Sequence, residues 1–259
     1  MWLNGSQAAG GGPSAAYLFN RAAAQAEVAA NPASNLNLDE INDPEAWGYR
    51  RHLRRTVQLG GAFARAFGAG SFGAIVRPAL GWSQNFQAEL RALGAWYDLA
   101  LAPTYGHISS VIYGIAVNGY AVGGVLPGAS EADIVAAVAG ASDAQRAARA
   151  ASAAIAAQGG LKLMTYEGAL VCLPLGRDAA TTGAVIAANR GAPWGAAMLR
   201  DFEANWAGVG GAEFNLFALA SQYGSDLPPF SRYQWGLMED VHNESASKYV
   251  AAVQMAGMV

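Results

Sequence analysis

The chemistry in this sequence centres on one carboxylate. Glu167 closes the apolar run LKLM and stands between Tyr166 and Gly168 in the segment MTYEGA. A glutamate placed where an apolar strand gives way to glycine sits at the C-terminal end of that strand, where parallel α/β folds keep their sites. With few competing charges around it, such a carboxylate serves as a nucleophile, or as a general acid/base whose proton affinity burial adjusts. A strand-end glutamate that caps a helix or pairs with an arginine is the plainer role for the same residue. Pattern alone leaves both readings open.

Aromatic side chains gather at the ends of similar segments: Trp82, Tyr120 and Tyr166, then Tyr233 and Trp235 beyond the last apolar run. Flat apolar faces with polar edges suit sugar rings, whose axial C–H bonds stack on indole or phenol while the hydroxyls find hydrogen bonds. With Gln84, Asn85, Asn118 and Glu167 they compose a polar and aromatic rim, although each aromatic singly also packs strand ends in any α/β protein. Other chemistries lack their residues. His52, His107 and His242 share no metal-ligand spacing. The glycines at 10–12 precede no Lys-Ser/Thr pair, and no serine lies in a G-x-S-x-G setting. No cofactor is called for. The RRHLRR run at 50–55 stacks Arg50 on Arg54 and Arg51 on Arg55, a pattern read as a solvated face or as a partner for the acidic segment 39–45.

The composition narrows the partners. The chain has 259 residues, 53% hydrophobic and 14% charged, which fits a packed domain and excludes a disordered polyampholyte. A net charge of −3 gives no global electrostatic reason to bind nucleic acid. The most apolar stretch, 111–126, is too short for a bilayer and is interrupted by Asn118 and glycines, so no membrane partner is expected. The opening residues have no basic n-region and no continuous apolar h-region, and the chain is read as soluble. The single Cys172 has no internal disulfide partner.

The elements that must position these residues can be placed from strand signals that are unevenly spread. Residues 1–73 contain four β-branched residues and the next 47 contain eight, so the first quarter is helical or irregular. A flexible segment is expected at 1–14, and a single α/β domain over 15–259. Helices are expected at 15–30, at 44–67 between Asp43-Pro44 and Gly68, at 86–101, at 130–139 and 142–158, through 179–206 with a break near 191–193, and at 245–255. Strands are expected at 74–82, 111–120, 161–168 and 211–220. Four strands separated by helices imply parallel βαβ units. They are too few for a complete eight-stranded barrel and fit an open sheet or part of a barrel.

The segments LKLMTYEGA, AANRGAPWGAAML, GAEFNLFALASQYG and YQWGLMEDVHNESASKYVAAV together resemble the C-terminal half of bacterial glycoside-hydrolase-like proteins with a TIM barrel. WGYRRHLRRTVQLGGAFARAFG and IVRPALGWSQN resemble the helix and strand that precede it, so the likeness spans most of 15–255. The resemblance implies a carbohydrate-active protein of a kind often secreted, with a polysaccharide or glycoside as substrate. Its four strands would be strands five to eight of a (β/α)8 barrel lacking the N-terminal strands. Glu167, ending the seventh, would be the nucleophile of a retaining glycosidase, oriented by Tyr120 and Tyr166. Trp82 and Trp235 would form sugar subsites with Gln84, Asn85 and Asn118.

Two departures stand against the family pattern. Ala169 replaces a second glycine, and Leu170-Val171 replaces a Gln-His pair. The acid/base glutamate of such enzymes comes after an asparagine at the end of the fourth strand, yet no Asn-Glu pair occurs in the first seventy residues, and Asn243-Glu244 falls after the eighth strand. The opening MWLNG looks like a segment cut just past such a pair. A retaining mechanism needs two carboxyl groups about 5–5.5 Å apart. Hydrolysis is therefore expected to be incomplete in this chain and to call for an upstream half-barrel of the same polypeptide. The alternative is a non-catalytic carbohydrate-binding or structural module that keeps the aromatic rim without a working carboxylate pair.

Overall fold

The computed structural model describes residues 15–176, 178–223 and 235–257. The expected flexible segment 1–14, and Tyr233, lie outside the described residues. The chain divides into two compact units. One is built from the chain up to Asn118 with Ala151–Met164, the other from Gly119–Ala150 with the chain from Thr165 onward.

The first unit begins with α1 (Ala15–Ala30) and α2 (Pro44–Phe67). Asp43 starts α2 by accepting the Glu45 N–H at 2.9 Å, Pro44 fills the first turn, and Gly68 at φ 86° stops the helix. Two arginines of the α2 run form ion pairs: Arg50 reaches both carboxylate oxygens of Asp39 at 2.7 and 2.6 Å, and Arg54 pairs with Glu27 of α1, while Arg55 is exposed. The acidic-partner reading thus holds for Arg50, but the solvated-face reading does not, because its 5% exposure makes it part of the interior.

Strand β1 (Ala79–Gly81) pairs in parallel with β2 (Gly114–Asn118), Ala79 opposite Gly114. α3 (Gln87–Ala100) and α4 (Ala102–Tyr105) connect them. The expected strand 74–82 contracts to three residues. Pro78 offers no N–H to a ladder, and Gly73 N–H donates to the Val76 carbonyl at 2.9 Å, closing a turn instead. β4 (Lys162–Glu167) starts beside β2, where Lys162 N–H donates to the Tyr113 carbonyl at 3.1 Å.

In the second unit β3 (Ala121–Val125) and β5 (Leu170–Pro174) form a parallel pair, Ala121 opposite Leu170 through Val125 opposite Pro174. Sequence reading missed both, taking 111–120 as one strand and ending the next at Gly168. The segment AVGGV has too few β-formers to announce itself, yet Gly123 is required there: a Cβ would lie 2.7 Å from the Ala137 backbone. Ala137 belongs to α5 (Glu131–Gln158), one helix where two were expected. The break expected near Gly140 does not occur, since one glycine costs only about 1 kcal/mol against the alanine-rich turns on both sides.

α6 (Ala179–Arg190), capped by Asp178, and α7 (Ala192–Arg200) break at Gly191 as expected, and α7 runs on into a π-helical turn, Asp201–Trp206. The last expected strand, 211–220, contracts to β6 (Gly211–Glu213), which neighbours β4. α8 (Ser247–Ala256) comes last. Ile134, Val138, Leu170, Cys172, Val185 and Trp194 form the centre of this unit's core. Burial pushes the Cys172 thiol up to about 11. The class is α/β with parallel strands, as read from sequence, but with six strands rather than four among the described residues. No described helix is long and apolar enough to cross a membrane.

Candidate functional site

The site is built where β4 ends in the second unit. Glu167 is the last residue of β4 and is half-buried. Its carbonyl accepts the Gly119 N–H at 2.8 Å, which lays the 119–120 turn alongside the strand end. Gly119 cannot be replaced there, because a Cβ would come 2.7 Å from Thr165 Cγ2 and 3.1 Å from the Gly168 Cα. The chain beyond β6 is fastened to the same strand. Asn215 N–H donates to Thr165 Oγ1 at 2.6 Å, and Phe217 N–H donates to the Gly168 carbonyl at 3.0 Å. After the cis Phe217-Ala218 peptide, Ala218 N–H donates to the Trp235 carbonyl at 3.2 Å.

These ties bring four of the expected site residues together. The Tyr120 phenol lies within electrostatic reach of the Glu167 carboxylate. Burial first, then the Glu167 charge, Tyr166 and, least of all, a hydrogen-bond contribution from Glu167, hold the Tyr120 hydroxyl well above its ordinary range. Burial, with the Glu167 charge second, pushes Tyr166 up to about 12. Both phenols therefore keep their protons at neutral pH. Trp235 stands edge-on to Tyr120 with centroids 5.1 Å apart, and Phe217 stands edge-on to Trp235 at 5.9 Å. The result is a half-buried carboxylate within reach of a phenol, with a partly exposed indole edge-on to that phenol.

The remaining expected residues belong to the first unit, and two are corrected. Trp82 is 1% exposed, donates its indole N–H to the Phe86 carbonyl at 2.9 Å and packs edge-on against Tyr49. It has no free face for a sugar. Gln84 is also buried, and its carbonyl accepts from the Gln87 amide, so it lies in the packing rather than on a rim. Asn85 is exposed, its N–H directed at Ser83 Oγ at 3.4 Å. Asn118 ends β2 with its Oδ1 buried and without a hydrogen-bond partner among the described residues.

Sequence reading missed the residues that support the turn from below. Arg149 of α5 is fully buried and pairs with Asp201 at 2.5 Å. Their separation of 52 residues leaves no local spacing to betray them. Among the described residues no group of three or more His, Cys, Asp or Glu side chains is arranged to hold a metal ion. No protein-family model, curated protein or solved structure matches this chain.

Proposed function

We propose that the chain is a glycoside-hydrolase-like, carbohydrate-active protein in which Glu167 is the nucleophile of a retaining mechanism, and that β1, β2, β4 and β6 are strands five to eight of a (β/α)8 barrel. The observation that supports this best is the Tyr120 phenol within electrostatic reach of the Glu167 carboxylate, with the Trp235 indole edge-on to that phenol at 5.1 Å. Attack by Glu167 on an anomeric carbon would release the leaving group and form a glycosyl-enzyme ester. Tyr120 would hold the attacking carboxylate in line, and Trp235 would carry the sugar ring.

Glu167 is the one carboxylate that acts on Tyr120 and Tyr166 among the described residues. The double displacement needs a second carboxyl group. That observation favours a second reading, a carbohydrate-binding module. Titration calorimetry of the purified chain with a panel of oligosaccharides tests both readings. Trp235→Ala should weaken binding at least tenfold. Under the catalytic reading Glu167→Gln weakens binding too and abolishes any release of an aryl leaving group, whereas under the binding reading affinity survives Glu167→Ala. A chain that binds no saccharide, or whose affinity ignores Trp235, defeats both.

A further inference from the structure

We infer that Arg149 is a positioning residue for the Tyr120–Glu167 pair, acting through the Gly119 peptide. The inference rests on the reading of Glu167 as the functional carboxylate. One guanidinium nitrogen, Nη1, donates to Asp201 Oδ1 at 2.5 Å and to the Asn205 carbonyl at 3.4 Å, while Nη2 donates to the Gly119 carbonyl at 3.2 Å. Asp201 is fixed in turn by the Ser142 hydroxyl, which accepts from Asn205 Nδ2 at 2.6 Å. Gly119 is thus held from both sides, its carbonyl by Arg149 and its N–H by the Glu167 carbonyl at 2.8 Å. The next side chain in the sequence is Tyr120. With both polar groups of Gly119 committed, the direction in which Tyr120 leaves the turn, and so the placing of its phenol within reach of Glu167, is set by the guanidinium.

Packing carries the same link. Arg149 lies over the Trp206 ring at 5.9 Å, Trp206 meets the edge of Phe214 at 5.2 Å, and a Cβ on Gly119 would come 3.0 Å from Phe214 Cζ. A buried ion pair is a weak source of stability, and apolar residues of similar volume replace such pairs at little cost. A planar guanidinium supplies what those residues cannot, several donors at fixed angles that span an aspartate and a peptide carbonyl together.

The test couples residue 149 to residue 167 by NMR, without a sugar. In the unaltered chain an Arg149 Nη–H should correlate across its hydrogen bond with the Gly119 carbonyl carbon, and the Tyr120 ring signals should move on Glu167→Gln. In the paired variant Arg149→Met/Asp201→Leu, the Gly119 amide should exchange with solvent at least tenfold faster while the Val185 amide in the core stays within threefold. The Tyr120 response to Glu167→Gln should disappear. Arg149→Lys keeps a charge for Asp201 but has no second arm for Gly119, and should show the same accelerated exchange. The inference fails if the cross-hydrogen-bond signal is absent, or if either folded variant keeps both the Gly119 protection and the Tyr120 response. Because no saccharide enters, a chain that binds no sugar leaves this result untouched, and a lost coupling leaves sugar binding to be judged by Trp235→Ala.

Discussion

Arg149 and Lys248 are both buried in the second unit, and they are buried differently. Each lies 5.9 Å from an indole, Trp206 for Arg149 and Trp194 for Lys248, and each of those indole N–H groups has no hydrogen-bond partner among the described residues. The likeness ends at their polar partners. Arg149 has an aspartate at 2.5 Å, whereas Lys248 donates to the neutral Asn189 Oδ1 at 3.0 Å and sits 4.6 Å over the Tyr223 ring. A guanidinium stays protonated at any pH a protein survives, so burying one requires a carboxylate beside it. An amine can release its proton instead. Desolvation pulls Lys248 down to about 7, with Glu239 opposing. One cation is a permanent fixture that aims a peptide; the other carries its charge conditionally.

The largest effect should separate them by stability. Arg149→Met strands Asp201 in the interior without a counter-charge and should cost about 3–5 kcal/mol. Lys248→Met removes an amine that the fold already strips of charge and leaves one Asn189 acceptor without a donor, about 1–2 kcal/mol. Urea unfolding of both variants at pH 8 compares them, and equal losses would erase the distinction. The next effect is in pH. Lys248 titrates at about 7 when folded, while an unfolded lysine titrates at about 10.4. Above 7 the unfolded chain therefore holds one more proton than the native chain. Stability should rise with pH from 7 to about 8.5, by at most about 1.4 kcal/mol per unit. Beyond that the raised Cys172 thiol acts in the opposite sense, since the unfolded thiol loses its proton first. Lys248→Met should flatten the rise and the Arg149 variants should keep it. A slope that survives in Lys248→Met belongs to another group.

Legibility in the sequence divides along the same line between local and distant causes. The helices that carry their own caps were readable, as Asp43-Pro44 and Gly68 bound α2. Glu167 and Tyr120 stand out in the sequence because each closes an apolar run, and the fold joins their neighbourhoods through the Gly119 N–H on the Glu167 carbonyl. Trp82 looked like Trp235 in sequence, since a strand-end indole carries no local mark of whether it faces outward. Only the fold turns the Trp82 N–H back onto the Phe86 carbonyl. β3 was hidden because its glycines answer to the backbone of α5, a contact that no window of a few residues contains. Arg149 was hidden because its partners are Asp201, Asn205 and Gly119, none of them within a helical turn of it.

The smallest effect sharpens the conditional cation most. Glu239 is held by both arms of Arg190, at 2.6 and 2.7 Å, and accepts the Tyr223 N–H at 3.2 Å. The arginine side chain is 54% exposed, so the pair is worth about 0–1 kcal/mol and Glu239→Gln should change stability little. Its electrostatic reach is the more telling quantity, because Glu239 opposes the desolvation that neutralises Lys248. Without that charge the amine should release its proton at a still lower pH. The chain has only two lysines, Lys162 and Lys248, and Lys162 is exposed. The carbon signals next to the two amines, followed by NMR against pH, therefore report Lys248 directly. A midpoint that moves downward in Glu239→Gln makes the proton on Lys248 a reporter of the Arg190–Glu239 pair. An unmoved midpoint would mean that Arg190 already neutralises Glu239 as seen from the amine, and that burial alone sets when Lys248 is charged.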